Sequence, residues 1–296
     1  MYVLMKRIII GIWLFCLTLV SISVSPLLAQ KSEVGVCGGT MFYIGELNNK
    51  HPFKLDKYEP AVGLVYRYNI SPRWAIKANF LFGKVSASDA LTNPYVGNIR
   101  NLSFSSRITE FSVVGELNFF QLYFSTGKNH FAPYIFAGVT VFSFDPVAKT
   151  NDGGEYHLQS LGTEGQGLDN MPKKYSLTSF ALPFGIGFRF NIGKYVCIGA
   201  EWGMRMTFTD YLDDVHGLYY DNVELRRQRG ALAASLADRT SELTDQNGNP
   251  LPLNQAGVQR GDPTNKDWYS FAGITLSVRF GNADRTCELK MKRKKH

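Results

Sequence analysis

Residues 176–192 read SLTSFALPFGIGFRFNI, and this stretch decides the fold. Successive side chains of a β-strand point to opposite faces of the sheet. From Phe180 onward every second residue is large and apolar, whereas the intervening residues are small or polar: Ala181, Pro183, Gly185, Gly187, Arg189 and Asn191. Such a strand has one apolar face, which forms the core of a soluble sandwich or faces lipid in an outer-membrane barrel.

Seven further segments have the length and alternation of strands. Together with the first they give eight candidates, an even number, as a bacterial up-and-down barrel requires. The candidates are Glu33–Ile44, Tyr58–Ile70, Arg73–Val85, Arg107–Leu122, Phe131–Phe144, Ser176–Ile192, Tyr195–Phe208 and Trp268–Phe280. The two faces separate well in most of them, but the fifth segment has large apolar residues on both faces and its inward face is not resolved.

The connections between these segments alternate in length. Tight turns follow the second and sixth segments at Ser71-Pro72 and Gly193-Lys194, and a modest connection, Tyr123–His130, follows the fourth. The other connections span about 13, 21, 31 and 59 residues. Short periplasmic turns and long extracellular loops are typical of outer-membrane barrels, and a soluble sandwich has no reason to separate loop lengths in this way. We therefore predict an all-β, eight-stranded antiparallel transmembrane β-barrel.

The first residues have the features of a secretory signal. Lys6 and Arg7 precede an apolar run, Ile8–Val24, and Ala29 is a small residue suited to cleavage before Gln30. A retained membrane anchor is the alternative, because the run is nearly long enough to span a bilayer. We predict a cleaved signal peptide at 1–29, a barrel at 30–281 that includes the long loop 209–267, and a basic periplasmic tail at 282–296.

Charged residues on the inward faces point to a filled lumen. Eight strands enclose a space just wide enough for side chains, and buried charges must be paired or hydrated. We predict a network of ion pairs that plugs the barrel; a proton or ion pathway is the alternative. Its members are Arg67, Lys77, Glu110, Glu116, Arg189, Glu201, Arg205 and Arg279.

Signatures of enzymes are scarce. The Asp213-Asp214-Val215-His216 stretch is the only close cluster of carboxylates and histidine, and its spacing supplies too few ligands or partners for metal binding or acid–base catalysis. We predict a polar loop at the mouth of the barrel, built by Asp210, Tyr211, Asp213 and Asp214. No catalytic, metal-binding or cofactor-binding residues are assigned, and a lipid-modifying enzyme would need a Ser/His/acid set that the sequence does not show.

The C-terminal tail carries most of the excess positive charge. The chain has a net charge of +7, and the tail contributes Lys290, Lys292, Arg293, Lys294 and Lys295. This concentration argues against a general nucleic-acid-binding surface and makes the tail a candidate for docking an acidic partner or anionic headgroups. The mature chain has three cysteines, of which Cys37 and Cys197 are predicted inward and too far apart to bond, while Cys287 lies in the tail.

The final loop, Thr209–Asp267, is long enough to have its own structure. Its stretch Asn222–Leu243 has small and apolar residues at helical spacing, which predicts a short surface helix. Nearby, Asn247-Gly248 is typical of a tight turn rather than of a calcium loop.

Four stretches resemble a known family of outer-membrane barrels from Bacteroidota. They read GTEGQG at 162–167, FALPFGIG at 180–187, TFTDYLDDV at 207–215 and DWYSFAGI at 267–274. The chain resembles the PorG-like family, which is associated with the type IX secretion system, over nearly all of the mature sequence. The block TDYLDD, at 209–214, is the most specific part of this resemblance.

The resemblance implies a non-enzymatic barrel that works beside a periplasmic ring formed by a lipoprotein and its partner. We expect an outer-membrane component of the type IX machinery with both termini in the periplasm. Its expected partners are outer-membrane lipids and the two ring proteins, with no nucleic acid, small-molecule substrate or cofactor. The alternative is a stand-alone barrel for adhesion, ligand binding or envelope integrity.

Overall fold

A computed structural model describes residues 32–48, 58–89, 100–122, 130–193 and 195–280. The sheet contains most of these residues, and its bounds lie close to the predicted ones. The strands are β1 (Ser32–Ile44), β2 (Glu59–Asn69), β3 (Trp74–Ser88), β4 (Ser103–Asn118), β5 (Phe131–Ser143), β6 (Pro146–Lys149), β7 (Glu155–His157), β8 (Thr178–Ile192), β9 (Val196–Thr207) and β10 (Trp268–Arg279).

Eight of these strands form a closed antiparallel barrel. The order around the barrel is β3-β2-β1-β10-β9-β8-β5-β4, and pairing of β3 with β4 closes it. Closure gives every barrel strand two partners, which removes the exposed edges that would otherwise bind other chains. The remaining strands, β6 and β7, form a hairpin that extends β4 at the end with the long loops. The prediction of an eight-stranded antiparallel barrel is confirmed.

Apolar and polar side chains alternate between the outside and the lumen. Along β8, Phe180 is 63 % exposed whereas Arg189 is 1 % exposed. The fifth predicted segment, whose inward face the sequence pattern does not identify, is β5 and follows the same rule. Tyr134, Phe136 and Phe142 point inward, and the smaller aliphatic residues point outward. Inward aromatic rings explain why the sequence pattern of β5 is ambiguous, because they make both of its faces apolar.

Two strands extend further toward the long loops than predicted. β3 continues from Val85 to Ser88, and β4 begins at Ser103 instead of Arg107. The pairing runs without interruption to Ser88 opposite Ser103. The inward residues of this extension, Ala87, Phe104 and Ser106, are all buried, so packing at the top of the lumen holds serine-rich segments in strand conformation.

The long-loop end carries a folded layer with three short helices. These are α1 (Leu158–Leu161), α2 (Asn222–Arg229) and α3 (Ala231–Ala237). Asp221 caps α2 by accepting hydrogen bonds from two backbone N–H groups of its first turn. The predicted helical stretch therefore forms two helices, and α3 is largely buried rather than a surface element. Among the described residues no helix is both long and apolar enough to cross a membrane.

The main apolar core lies in the upper lumen, toward the long loops. Met41 and Phe142 from the barrel wall pack there with Leu212 and Val215 from the loop between β9 and β10. This loop therefore folds back into the barrel. The core closes the mouth of the lumen with side chains of the chain itself.

Candidate functional site

A network of buried ion pairs fills the lower lumen, near the short turns. We call it the lumen network, and it consists of Glu33, Arg67, Lys77, Glu116, Arg189 and Glu201. Arg67 bridges two strands: its Nε lies 2.8 Å from Glu116 Oε2, and its Nη1 lies 3.0 Å from Glu33 Oε2. Arg189 Nη2 lies 2.7 Å from the other oxygen of Glu33. A planar guanidinium suits this role, because its donors diverge toward several carboxylates.

Lys77 links the other carboxylates of the lumen network. Its Nζ lies 2.5 Å from Glu201 Oε2 and 3.2 Å from Glu116 Oε1. The hydroxyl of Tyr134 donates a hydrogen bond of 2.8 Å to Glu201. The lumen network therefore contains three cations and three carboxylates, so its formal charge balances without any bound ion.

A second ion pair lies higher in the lumen. Arg205 donates from Nε and Nη2 to the two oxygens of Glu110, each at 3.2 Å, and Tyr269 donates to Glu110 at 2.9 Å. The guanidinium also lies 5.6 Å from the centre of the Phe271 ring. A bidentate pair with an aromatic neighbour is a strong arrangement for a buried charge.

Paired glycines make room for an inward aromatic ring between these two layers. Gly185 of β8 stands opposite Gly203 of β9. A Cβ atom at Gly203 would lie 2.6 Å from Phe136 Cζ, and one at Gly185 would lie 2.8 Å from it. Any larger residue at these two positions would displace the ring, which lies 4.7 Å from the ammonium of Lys77.

The structure thus brings together most of the inward charges picked from the sequence, with two differences. Arg279 is half-buried at the lower rim, opposite Glu33 in the register of β1 and β10. Glu33 itself is central but is missing from the predicted set. The alternation along β1 indicates that Glu33 faces inward, because Glu33 shares its face with Cys37, which the sequence predicts to face inward. Cys37 and Cys197 are both buried free thiols.

At the mouth, two buried carboxyl groups share one hydroxyl. Tyr43 Oη lies 2.6 Å from Asp213 Oδ2 and 2.6 Å from Asp267 Oδ1. We call Asp213 and Asp267 the mouth acid pair. The backbone N–H of Leu212 donates to Asp267, and that of Val215 donates to Asp213. These bonds hold the two apolar side chains of the loop in the upper lumen.

The hydrogen bonds at the mouth acid pair require one of the two carboxyl groups to be protonated. The Tyr43 hydroxyl has one proton and can donate it to only one of its two neighbours. The second contact needs a donor, which a protonated carboxyl supplies. Burial raises the pKa of Asp213 to about 8. Burial and the neighbouring charge of Asp213 raise the pKa of Asp267 well above its usual range.

The other predicted mouth residues lie in the same segment with different partners. Asp214 accepts hydrogen bonds from Tyr175 at 2.7 Å and from Thr163 at 2.5 Å, and its backbone adopts the left-handed conformation. Burial raises its pKa to about 6 although the nearby guanidinium of Arg260 opposes this shift.

Asp210 and Tyr211 make the outer part of this segment. Asp210 Oδ2 lies 2.5 Å from His216 Nδ1. The Tyr211 ring stacks between those of Tyr175 and His216, at centroid distances of 4.4 and 4.5 Å. Sequence reasoning missed Tyr43, Thr163, Tyr175 and Asp267, because all of them are distant in the chain from the residues that they hold.

Chemically, the site is suited to filling and closing the lumen. The described residues hold no group of three or more His, Cys, Asp or Glu side chains placed to bind a metal ion. The predicted signal peptide, Cys287 and the docking tail Lys290, Lys292, Arg293, Lys294 and Lys295 lie outside the described residues.

Several solved outer-membrane proteins are similar to this chain at low identity. Ail, the attachment invasion locus protein of Yersinia pestis, solved with the heparin analogue sucrose octasulfate, is 11% identical with a TM-score of 0.37, over 84% of this chain and 99% of that chain. Neisserial surface protein A is 8% identical with a TM-score of 0.40, over 84% and 97%. OprG of Pseudomonas aeruginosa is 11% identical with a TM-score of 0.37, over 86% and 98%. Similarity at this level carries no argument about function.

A family model also matches most of the chain. No curated protein is similar enough to count as a relative. The model described as "Domain of unknown function (DUF6089)" matches residues 12–230, which is more than half of the sequence. The chain therefore belongs to the DUF6089 family.

Proposed function

We propose that this protein is a non-enzymatic outer-membrane barrel that belongs to the type IX secretion machinery and contacts its periplasmic ring complex. The observation that carries the membrane part is the outer wall, where large apolar side chains such as Phe184, Ile186 and Phe188 stand exposed around the closed sheet. In water this surface would be far larger than the apolar patches that soluble proteins expose. In a bilayer it is the lipid-facing band.

The internal arrangement supports a scaffold rather than a pore. The lumen network is neutral and buried, and the upper lumen is filled by Leu212 and Val215 of the barrel's own loop. An eight-stranded barrel has no room for a channel beside such side chains. The proposed role is therefore to present the turns at one end and the folded loop layer at the other.

The secretion part rests on the resemblance to the PorG-like family, which is most specific at 209–214. This block forms the mouth segment, and its Asp213 and Asp214 are buried among residues of the same chain. The residues of this block therefore serve to fold the mouth and are not free to contact a partner. We propose that the turns 70–73 and 193–195 and the basic tail contact the ring proteins instead.

Deletion of the gene tests the secretion role directly. We expect export of type IX cargo to fail and the periplasmic ring to assemble poorly, with rescue by the full chain. A gentle detergent pull-down of the tagged barrel should recover the ring lipoprotein and its partner. The matched variant lacks Gly281–His296; loss of the ring proteins from this variant alone would assign docking to the tail.

A stand-alone barrel for adhesion, ligand binding or envelope integrity is the second candidate. The folded layer of 208–267, with the exposed basic side chains of Arg226 and Arg227 on α2, favours it. Intact cargo export in the deletion strain, together with loss of surface binding, would decide for this role.

A further inference from the structure

Only two charged side chains lie on the outward face of the eight barrel strands, all of whose residues are described. They are Lys84 of β3 and Arg107 of β4, and both are positive. The other outward residues are apolar, small or hydroxyl-bearing. All remaining charges of these strands lie on the inward side or at the rims. Two charges of the same sign on an otherwise apolar wall are unfavourable unless an anion binds beside them.

The two cations stand directly opposite each other. Lys84 pairs with Arg107 in the register of β3 and β4. Side chains in such a pair have Cβ atoms about 4.5–5.5 Å apart, and like charges there destabilise a sheet. Neither side chain forms a hydrogen bond or an ion pair with any residue that the structure describes. The carboxylate that acts on both, Glu155, already pairs with Lys149 at 3.1 Å.

Their height on the barrel matches a membrane surface. Lys84 follows the exposed rings of Phe80 and Phe82 on the same face of β3. Trp74, at the other end of this face, is ten positions away. At about 3.4 Å per residue and a tilt of about 40°, that distance is roughly 26 Å along the barrel axis, close to the height of the apolar band of such barrels. Lys84 and Arg107 thus lie where headgroups begin at the long-loop end.

Hydroxyl groups complete the site. Ser105 stands on the outward face of β4, next to Arg107 along that face, and pairs with Ser86 of β3. A phosphate has several oxygens that accept hydrogen bonds from a guanidinium, an ammonium and hydroxyls together. The two described carboxylates near this position already have other partners: Glu155 pairs with Lys149 at 3.1 Å, and Glu59 accepts a hydrogen bond from Ser86. An anion from the membrane would relieve the remaining repulsion.

We propose that Lys84 and Arg107, with Ser105, bind the phosphate headgroup of an anionic lipid in the leaflet at the long-loop end. This inference rests on the proposed position of the barrel in the outer membrane. The bound lipid would seat the barrel at a fixed height, with its apolar band in the hydrocarbon and its loop layer outside. It would also neutralise the only charges on the outer wall.

Lipid titration of the full-length protein in detergent, followed by native mass spectrometry, tests the site. The probe is phosphatidylglycerol, with zwitterionic phosphatidylcholine as the reference lipid. We expect preferential binding of phosphatidylglycerol, and at least about tenfold weaker binding by the K84Q/R107Q variant, since each basic side chain near an anionic bilayer contributes roughly fivefold. The matched control, K173Q/K266Q, removes two exposed lysines from the loops and should bind as the wild type does.

Any one of three results would overturn the proposal. Equal affinity of the K84Q/R107Q variant and the wild type would remove these residues from the site. An equal loss in the control variant would show a general charge effect, and displacement of the lipid by inorganic phosphate alone would show a site for free anions. Heat-modifiable mobility on gels verifies that each variant is folded. Fractionation of the wild type away from the outer membrane would refute the proposed location and leave the lipid measurement standing.

Discussion

The lumen network and the mouth acid pair are both buried, yet they handle carboxyl groups in opposite ways. In the lumen network each glutamate lies beside a cation, as Glu33 lies beside Arg67 and Arg189. In the mouth acid pair, Asp213 and Asp267 form no ion pair with any described residue and meet instead at the hydroxyl of Tyr43. The first arrangement keeps its carboxylates charged, and the second keeps a proton.

The difference follows from which elements supply the side chains. Rigid, paired strands supply every member of the lumen network, so cation and anion are held at fixed separation across the barrel. The mouth acid pair joins a loop to a strand end. An uncompensated charge there would be costly, and protonation removes it. The stability of a contact that depends on a proton changes with pH, whereas the stability of a balanced ion network changes less.

Arg67→Met should give the largest effect, because it breaks the lumen network. The change removes one cationic partner from Glu33 and one from Glu116. Both carboxylates are buried, so water cannot replace the lost partner. Removal of one partner from a buried ion pair typically costs about 3–5 kcal/mol. We expect a loss of this size in urea unfolding of the barrel in detergent micelles, followed by heat-modifiable gel mobility.

Arg67→Lys is the matched control for that experiment. It keeps the charge but loses the divergent donors that reach Glu33 and Glu116 together. An intermediate loss is expected. If Arg67→Met unfolds within about 1 kcal/mol of the wild type, the comparison between the two clusters fails, since that is the range of exposed pairs.

Tyr43→Phe should have the next largest effect, confined to the mouth. Removal of the hydroxyl leaves two buried carboxyl groups without their shared partner, a loss of about 1–3 kcal/mol. The lumen network should be unaffected. We expect faster hydrogen exchange at the N–H groups of Leu212 and Val215, with unchanged exchange in the lower halves of the strands. Uniformly faster exchange would show that the mouth and the lower barrel unfold as one unit.

The mouth acid pair should also make the closed mouth sensitive to pH. Burial raises the pKa of Asp213 to about 8 in the closed state, whereas an exposed Asp titrates near 4. Opening the mouth between these values releases a proton, so the closed state loses stability as pH rises. We expect protection of Leu212 N–H to be greatest near pH 4, to fall up to about pH 8, and to level off above that.

The Asp213→Asn variant is the control for the pH experiment. An amide can donate to the Tyr43 oxygen at any pH, which replaces the protonated carboxyl. The variant should lose less protection between pH 5 and pH 8 than the wild type does, with the remaining fall due to the buried carboxyl groups of Asp267 and Asp214. A wild type with flat protection from pH 5 to pH 8 would refute proton sharing at this site. Other ionisable groups act on the pair, chiefly Glu46 and Arg100, so each pH series needs the variant beside it.

The two clusters were also unequally predictable from the sequence. Alternation along strands such as β8 fixes which residues face inward, so most of the lumen network could be chosen by position alone. Glu33 was missed although the parity of β1 includes it. The register that brings it to Arg67 depends on pairing of β1 with β2, which alternation does not specify.

The sequence predicts where the mouth segment lies but not the contacts that hold it there. The stretch 210–216 was expected at the mouth as a polar loop, whereas its Leu212 and Val215 enter the apolar core. Tyr43 and Asp267 lie far from Asp213 in the chain, and no periodicity links them. Such contacts arise from how a loop folds back on the barrel, which is a property of tertiary packing.

The smallest effect is expected for an exposed ion pair that contributes to neither cluster. Glu224 of α2 accepts two hydrogen bonds from Arg227 one turn later, with geometry as good as that of Arg205 and Glu110 in the lumen. Arg227 is exposed to solvent, so water and salt screen the pair. The Arg227→Gln variant should leave the unfolding midpoint unchanged within error, whereas Arg205→Gln should lower it clearly. Equal shifts in the two variants would mean that bond geometry, rather than burial without an alternative partner, determines what an ion pair contributes in this barrel.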